Sequence, residues 1–168
     1  MNFLDRITSE VRLMFRRPVR VQCAALCYRF KKKSAQPEML VITSRDTGRW
    51  VIPKGWPMDG KTSHEAAAQE AWEEAGVKGE VSEQSIGYYT YSKGLDHGMK
   101  VACRVQVYPI VVFEMARRFK EKGVRKLEWV SFPEAASRVA EPELKELILR
   151  FEQQLLDTMR PQPLSAAG

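Results

Sequence analysis

The stretch Gly55-Trp-Pro-Met-Asp-Gly-Lys61-Thr-Ser-His-Glu-Ala-Ala-Ala-Gln69-Glu70-Ala-Trp-Glu73-Glu74-Ala-Gly76-Val77 decides how this chain is read. Residues 63–75 are alanine-rich and helical. Thr62 and Glu65 fit an S/T-x-x-E capping box, and Gly76 suits the position just past a helix end. At about 100° per residue, Glu70, Glu73 and Glu74 stand at i, i+3 and i+4 and share one face. Ala68, Ala71, Trp72 and Ala75 fall roughly opposite, where they can pack on a sheet. Three carboxylates near a helix C-terminus repel one another and oppose the macrodipole. A helix built only for stability would place acids at its start and bases at its end. The grouping makes chemical sense around a cation, and hard oxygen donors select Mg2+ or Mn2+ over zinc. A solvated acidic face has the same composition, so the flanking residues carry weight. Pro53-Lys54-Gly55 leads into a loop whose backbone can approach a cation or a phosphate, with the Lys54 or Gly55 carbonyl as a further oxygen ligand.

Outward from this unit, residues 20–29 and 39–44 are apolar enough for buried strands. Lys31-Lys32-Lys33 and the following Ser-Ala-Gln-Pro form the turn of a hairpin. Trp50-Val51-Ile52 is a short extended piece stopped by Pro53. Further strands are expected at 86–92, 101–113 and 127–132, a short helix at 134–139 and a longer one at 143–159. In the last, Leu144, Leu147, Ile148, Phe151, Leu155 and Leu156 line one face. Residues 1–17 form an amphipathic helix, with Phe3, Leu4, Ile7, Val11, Met14 and Phe15 spaced by 3 and 4. Such a helix can lie on a membrane or bind a partner, and more often packs on its own domain or across a homodimer. Residues 18–159 form one domain and 160–168 a flexible tail. Strands around one central helix, closed by a terminal helix, give an α/β (α+β) class: a mixed β-sheet with helices packed against it.

Composition sets the frame. The 168 residues suit one domain, and no apolar run is long enough to span a bilayer. Three cysteines (Cys23, Cys27 and Cys103) in apolar surroundings argue against a disulfide framework and for a reducing, cytoplasmic setting. The net charge is +6, distributed as +7 over residues 1–50, −3 over residues 51–100 and +2 over the remainder. Basic flanks attract phosphates, and an acidic centre attracts a divalent cation. The basic residues are scattered rather than massed on one element, so no specific nucleic-acid partner is expected.

The segment from Gly55 to Val77 resembles the Nudix box, a pattern of 23 residues usually written G-x5-E-x7-R-E-U-x-E-E-x-G-U, where U is aliphatic. Gly55, Glu70, Ala71, Glu73, Glu74, Gly76 and Val77 fall on it in register. Lys61 stands where the pattern has its first glutamate, and Gln69 where it has an arginine that holds the neighbouring glutamate. Gln69 is expected to hydrogen-bond Glu70 without charge. The likeness extends over roughly residues 20–155. Ser44–Pro53, the Glu70–Gly76 core and Arg125–Trp129 look like the diphosphoinositol polyphosphate phosphohydrolase branch, which also cleaves diadenosine polyphosphates. The resemblance implies a Nudix-type α/β/α sandwich and a Mg2+-dependent pyrophosphohydrolase. Glu70, Glu73 and Glu74 would then be both catalytic and metal-binding.

The other candidates are basic. Arg20, Arg45, Arg49, Lys93, Arg104 and Lys126 flank or follow strands and are expected to converge on a phosphorylated small-molecule substrate. Ser44 adds a neutral donor, and Lys61 a charge from the loop before the helix. Trp56, Tyr88, Tyr89 and Tyr91 are open to base stacking or to core packing. Glu70, or a glutamate outside the helix such as Glu114, is placed to act as general base. The chain carries no nucleophile–histidine constellation, which fits attack by water. A rival reading is a Nudix-fold sensor that binds a nucleotide or ADP-ribose without cleaving it, since the departures at 61 and 69 are changes expected on that route.

Overall fold

The computed structural model of the chain describes residues 18–161. The expected N-terminal helix, and all of the expected tail beyond Arg160 and Pro161, lie outside the described residues. Strands β1 (Arg20–Phe30), β2 (Pro37–Thr43), β3 (Trp50–Val51), β4 (Lys54–Gly55), β5 (Val77–Val81), β6 (Gly87–Gly94), β7 (Lys100–Met115) and β8 (Leu127–Ser131) join one mixed sheet. β1 and β7 run parallel over nine residue pairs, from Arg20–Cys103 to Tyr28–Val111. Every other pairing is antiparallel. Helices α1 (Ser63–Ala75), α2 (Phe132–Arg138) and α3 (Pro142–Met159) complete the described residues, with a 3-10 turn at Asp96–Gly98.

Two cores lie on opposite faces of the sheet, giving the expected α/β/α sandwich. Alternation along β1 divides them: Ala24 and Leu26 face one side, Cys23, Ala25 and Cys27 the other. α1 lays Ala66, Ala67, Ala71 and Ala75 on the second face, where small side chains let its backbone sit close to the strands. α2 and α3 cover the first face with Phe132, Leu144, Leu147, Ile148 and Phe151. The hairpin of β1 and β2 forms as expected. Strand β5, absent from the sequence reading, follows Gly76 directly and pairs with β7.

The ends of α1 behave as the capping chemistry predicts. Thr62 Oγ1 accepts from the Glu65 N–H, and Glu65 Oε2 accepts from the Thr62 N–H at 2.8 Å. Gly76 adopts φ +69°, and its N–H donates to the Trp72 carbonyl at 2.9 Å. A Cβ there would also stand 2.5 Å from Phe119 Cδ1. Gly76→Ala is therefore expected to lower unfolding stability by about 1–2 kcal/mol, read from urea denaturation midpoints. An unchanged midpoint would mean that the turn into β5 tolerates a side chain.

Candidate active site

The last turns of α1 face a cavity of about 640 Å³. Glu70, Glu73 and Glu74 form one wall, and Lys54 and Gly55 enter from β4. β4 is held there by its pairing of Gly55 with Cys23 and of Lys54 with Ala24. Gly55 is pressed on Glu70: a Cβ at Gly55 would lie 1.9 Å from Glu70 Oε1. Only glycine lets that carboxylate approach the β4 backbone so closely.

The loop 44–49 forms a second wall. It is closed by Ser44 N donating to Arg49 O at 2.7 Å, and it carries Ser44, Arg45 and Arg49 into the lining. Arg45 Nη1 lies 3.3 Å from Glu121 Oε1, and Arg49 Nη1 lies 3.5 Å from Glu141 Oε1. β6 contributes Tyr91 and Lys93. Tyr91 Oη donates to Gln22 Oε1 at 2.6 Å. Trp56 stands at the edge, 37% exposed, with Lys93 Nζ 5.0 Å and Arg20 Cζ 5.9 Å from its ring centroid. An exposed ring between two cations suits stacking on a flat ligand. Tyr89, by contrast, is buried in the core, and Tyr88 lies beneath Arg104 at 4.0 Å.

The loop between β7 and β8 supplies the groups that the sequence did not single out. Glu121 N donates to the Glu73 carbonyl at 2.9 Å, docking this loop on the free end of α1. Lys120 Nζ lies 3.4 Å from Glu73 Oε2, and Arg125 Nη2 lies 3.3 Å from Glu74 Oε1. Arg125 also meets Glu121 at 3.4 Å and donates to the Thr43 carbonyl at 3.0 Å. Gln69 Nε2 donates to Glu73 Oε1 at 3.1 Å, not to Glu70 as expected, because Gln69 and Glu73 stand one turn apart.

Burial sets the electrostatics. It pushes the Glu74 carboxyl up to about 7 against the pull of the Arg125 charge, with the Glu70 charge adding to the rise. Glu70 is raised as well, first by burial and then by the neighbouring Glu73 and Glu121 charges. Burial lowers the Lys54 ammonium, while the charges of Glu74 and Glu141 hold it up.

Four of the expected substrate residues do not line the cavity. Arg20 reaches only its edge, over Trp56, and Arg104 covers Tyr88. Lys126 exchanges hydrogen bonds with Thr43 through its backbone. Lys61 is exposed in the loop before the N-cap Thr62 of α1 and is absent from the lining. Glu114 pairs with Lys78 at 3.5 Å and is also absent from the lining.

The NUDIX domain pattern matches residues 20–151. The chain belongs to the Nudix family. Nudix hydrolase 21, chloroplastic, of Arabidopsis thaliana is 32% identical over 127 residues, 74% of this chain and 62% of the relative. Human diphosphoinositol polyphosphate phosphohydrolase 3-beta is 29% identical over 116 residues, 68% of this chain and 65% of the relative. The chain thus spans somewhat less than two thirds of either protein. The Nudix fold is shared with a Caenorhabditis elegans Ap4A hydrolase in binary complex (TM-score 0.61, 18% identity, 83% of this chain and 99% of that one). It is shared also with the Nudix domain of Shewanella oneidensis NrtR complexed with ADP ribose (TM-score 0.62, 13% identity, 92% and 99%). Nudix proteins in general use divalent metal ions. Among the described residues no helix is long and apolar enough to cross a membrane.

The donor set of this Nudix domain fits a hard cation: three carboxylates and the β4 carbonyls, with Glu70 seated in a cradle that a Cβ at residue 55 would fill. As oriented, no three His, Cys, Asp or Glu side chains among the described residues surround a common point. Glu73 and Glu74 are turned to Lys120 and Arg125. Metal binding would therefore exchange these ion pairs for cation contacts.

Proposed function

We propose that this chain hydrolyses the P–O–P bridge of a phosphate-rich small molecule with Mg2+ or Mn2+ as cofactor. The substrate would be a diphosphoinositol polyphosphate or a diadenosine polyphosphate. The carrying observation is the meeting, in one cavity, of the Glu70–Glu73–Glu74 face with Ser44, Arg45, Arg49, Lys54 and Lys93. A polyphosphate needs several cations to offset its charge and hydrogen-bond donors to orient it. The two substrate classes are those the branch resemblance implies, and the names of the human relative and of the nematode fold neighbour agree with them. A divalent ion held by Glu70, Glu73, Glu74 and the Lys54 or Gly55 carbonyl would neutralise the diphosphate and lower the pKa of a bound water. Arg45 and Arg49 grip the phosphates as bidentate forks, and Ser44 donates a neutral hydrogen bond. Trp56 stacks on a base or covers a ring. Glu70 takes the proton of the attacking water, a role its place in the cavity wall against β4 supports. Arg20, Lys61, Arg104 and Lys126 reach only the outlying phosphates of a long substrate. Residues 18–159 carry this activity. Three buried free thiols fit a cytoplasmic setting.

The test is phosphate release with Mg2+ or Mn2+ from a panel of inositol pyrophosphates, diadenosine polyphosphates, ADP-ribose and capped RNA ends. Turnover of an inositol pyrophosphate or a diadenosine polyphosphate above the rest is expected. Cleavage of none of the panel would overturn the proposal.

A second reading has its own observation. Glu73 and Glu74 already hold protein partners in Gln69, Lys120 and Arg125, as expected of a sensor whose glutamates brace the fold. Micromolar binding of ADP-ribose or a nucleotide with no turnover would favour it.

A pH series tests the metal assignment. With its carboxyl near 7, Glu74 is mostly protonated at about pH 6 and mostly ionised at about pH 8. A cation must displace that proton, so affinity rises with pH through this window. Mg2+ titration calorimetry is expected to show about tenfold tighter binding at the higher pH. Flat affinity would remove Glu74 from the ligand set.

A further inference from the structure

The parallel strands β1 and β7 pair as far as Tyr28–Val111 and then part. Beyond that point β1 continues with β2, and β7 continues with β5. A cavity of about 880 Å³ lies between the diverging ends. Arg29, Phe30 and the turn Lys31–Ser34 line one side, and Val111–Met115 the other. From Cys23, which pairs with β4 beside the active site, β1 runs seven residues to Phe30, or about 20 Å. The cleft is thus at the other end of the sheet.

Its chemistry is apolar at the centre and mainly cationic at the rim, where Arg29, Lys31, Lys32 and Lys33 outnumber Glu38 and Glu114, the latter paired with Lys78 at 3.5 Å. Phe113 is 71% exposed, the highest value among the large hydrophobic residues of the described chain. Phe30 beside it is 38% exposed. Glu38 accepts from Arg29 Nε at 2.7 Å and lies 3.8 Å from Lys31 Nζ, so one carboxylate serves two cations. Lys32 and Lys33 are exposed and have no ion pair among the described residues. The turn presenting them is closed by Lys31 N to Gln36 O and by Ala35 N to Lys31 O, both at 2.9 Å. Along the flank of β7 that faces β1, Val112–Met115 have no strand partner among the described residues. Unpaired strand backbone is a template for an added extended segment.

We propose that this cleft docks an extended acidic peptide, with apolar residues between its carboxylates, from a partner protein. The open flank of β7 would bond the peptide backbone. Phe30 and Phe113 would cover its apolar side chains, and Lys31, Lys32 and Lys33 would meet its acids. Charge complementarity selects an acidic occupant. Concave shape and free backbone groups favour a peptide over a lipid surface or a nucleic acid, neither of which can add a strand.

The experiment uses the full chain and a fluorescein-labelled peptide of about eight alternating glutamates and leucines. Controls are the same peptide with glutamine for glutamate, vesicles containing phosphatidylserine, and oligouridylate. Anisotropy is expected to show saturable binding of the acidic peptide, about tenfold weaker for the glutamine version. Lys32→Glu with Lys33→Glu, and separately Phe113→Ser, should each weaken binding at least about tenfold without altering hydrolytic turnover. Each of these side chains is exposed, so folding is spared, and circular dichroism checks it. No saturable binding up to about 1 mM, or equal binding by the variants, overturns the proposal. It is overturned in favour of a membrane or RNA partner if vesicles or oligouridylate bind through these residues and the peptide does not.

Discussion

Glu74→Gln will lower divalent-dependent turnover by about 10²–10³-fold while leaving the protein folded. Glu74 is nearly buried in the cavity wall, its side chain only 9% exposed, and glutamine matches its shape without its charge. Burial already disfavours the Glu74 charge, so the neutral side chain costs little in stability. Arg125 keeps its contacts with Glu121 and the Thr43 carbonyl. A turnover loss with an unchanged melting temperature is therefore the signature of a lost ligand and not of unfolding. Activity retained within a few-fold would sink the assignment of this glutamate to the metal.

Gly55→Ala is expected to cut turnover about 100-fold while leaving the residue's own backbone carbonyl in place. The new methyl would stand 1.9 Å from Glu70 Oε1 and 2.1 Å from its Cδ. That is the far end of a flexible side chain, so Glu70 swings away and the backbone stays. A displacement of about 1 Å at a reacting group is enough for such a loss. Kinetics and circular dichroism on the same sample separate the outcomes. Full activity would mean that the closeness of Glu70 to β4 has no part in the reaction.

What the sequence disclosed was local. The capping box, the glutamate face and Gly76 are all encoded within a few residues, and each appears where the pattern puts it. Strand β5 was hidden because Val77-Lys78-Gly79-Glu80-Val81 places a glycine and two charges in five residues, a poor strand signal. It is a strand because β7 offers it a partner. Lys120, Glu121 and Arg125 were illegible as site residues for the same reason. They lie some 50 residues from α1 in sequence, and only the docking of their loop on its C-terminal carbonyl brings them to the glutamates. Basic residues near strands gave no such guide. Arg45 and Arg49 share a closed loop that carries them inward, whereas Arg104 spends its charge on an exposed tyrosine ring. Lys61 illustrates the limit of reading a motif by position alone, since it stands at a position of the pattern and yet is not among the residues that line the cavity.

In the proposed reaction water, aided by a divalent ion at the glutamate face, attacks phosphorus in a diphosphate bridge. Turnover of a diphosphoinositol polyphosphate and of a diadenosine polyphosphate in water enriched in ¹⁸O, with Mg2+ and then with EDTA, tests it most directly. One ¹⁸O atom is expected in a single product phosphate for each bond cleaved, with no cleavage in EDTA. Cleavage that persists in EDTA, or tight binding of both compounds with no labelled product, would contradict it.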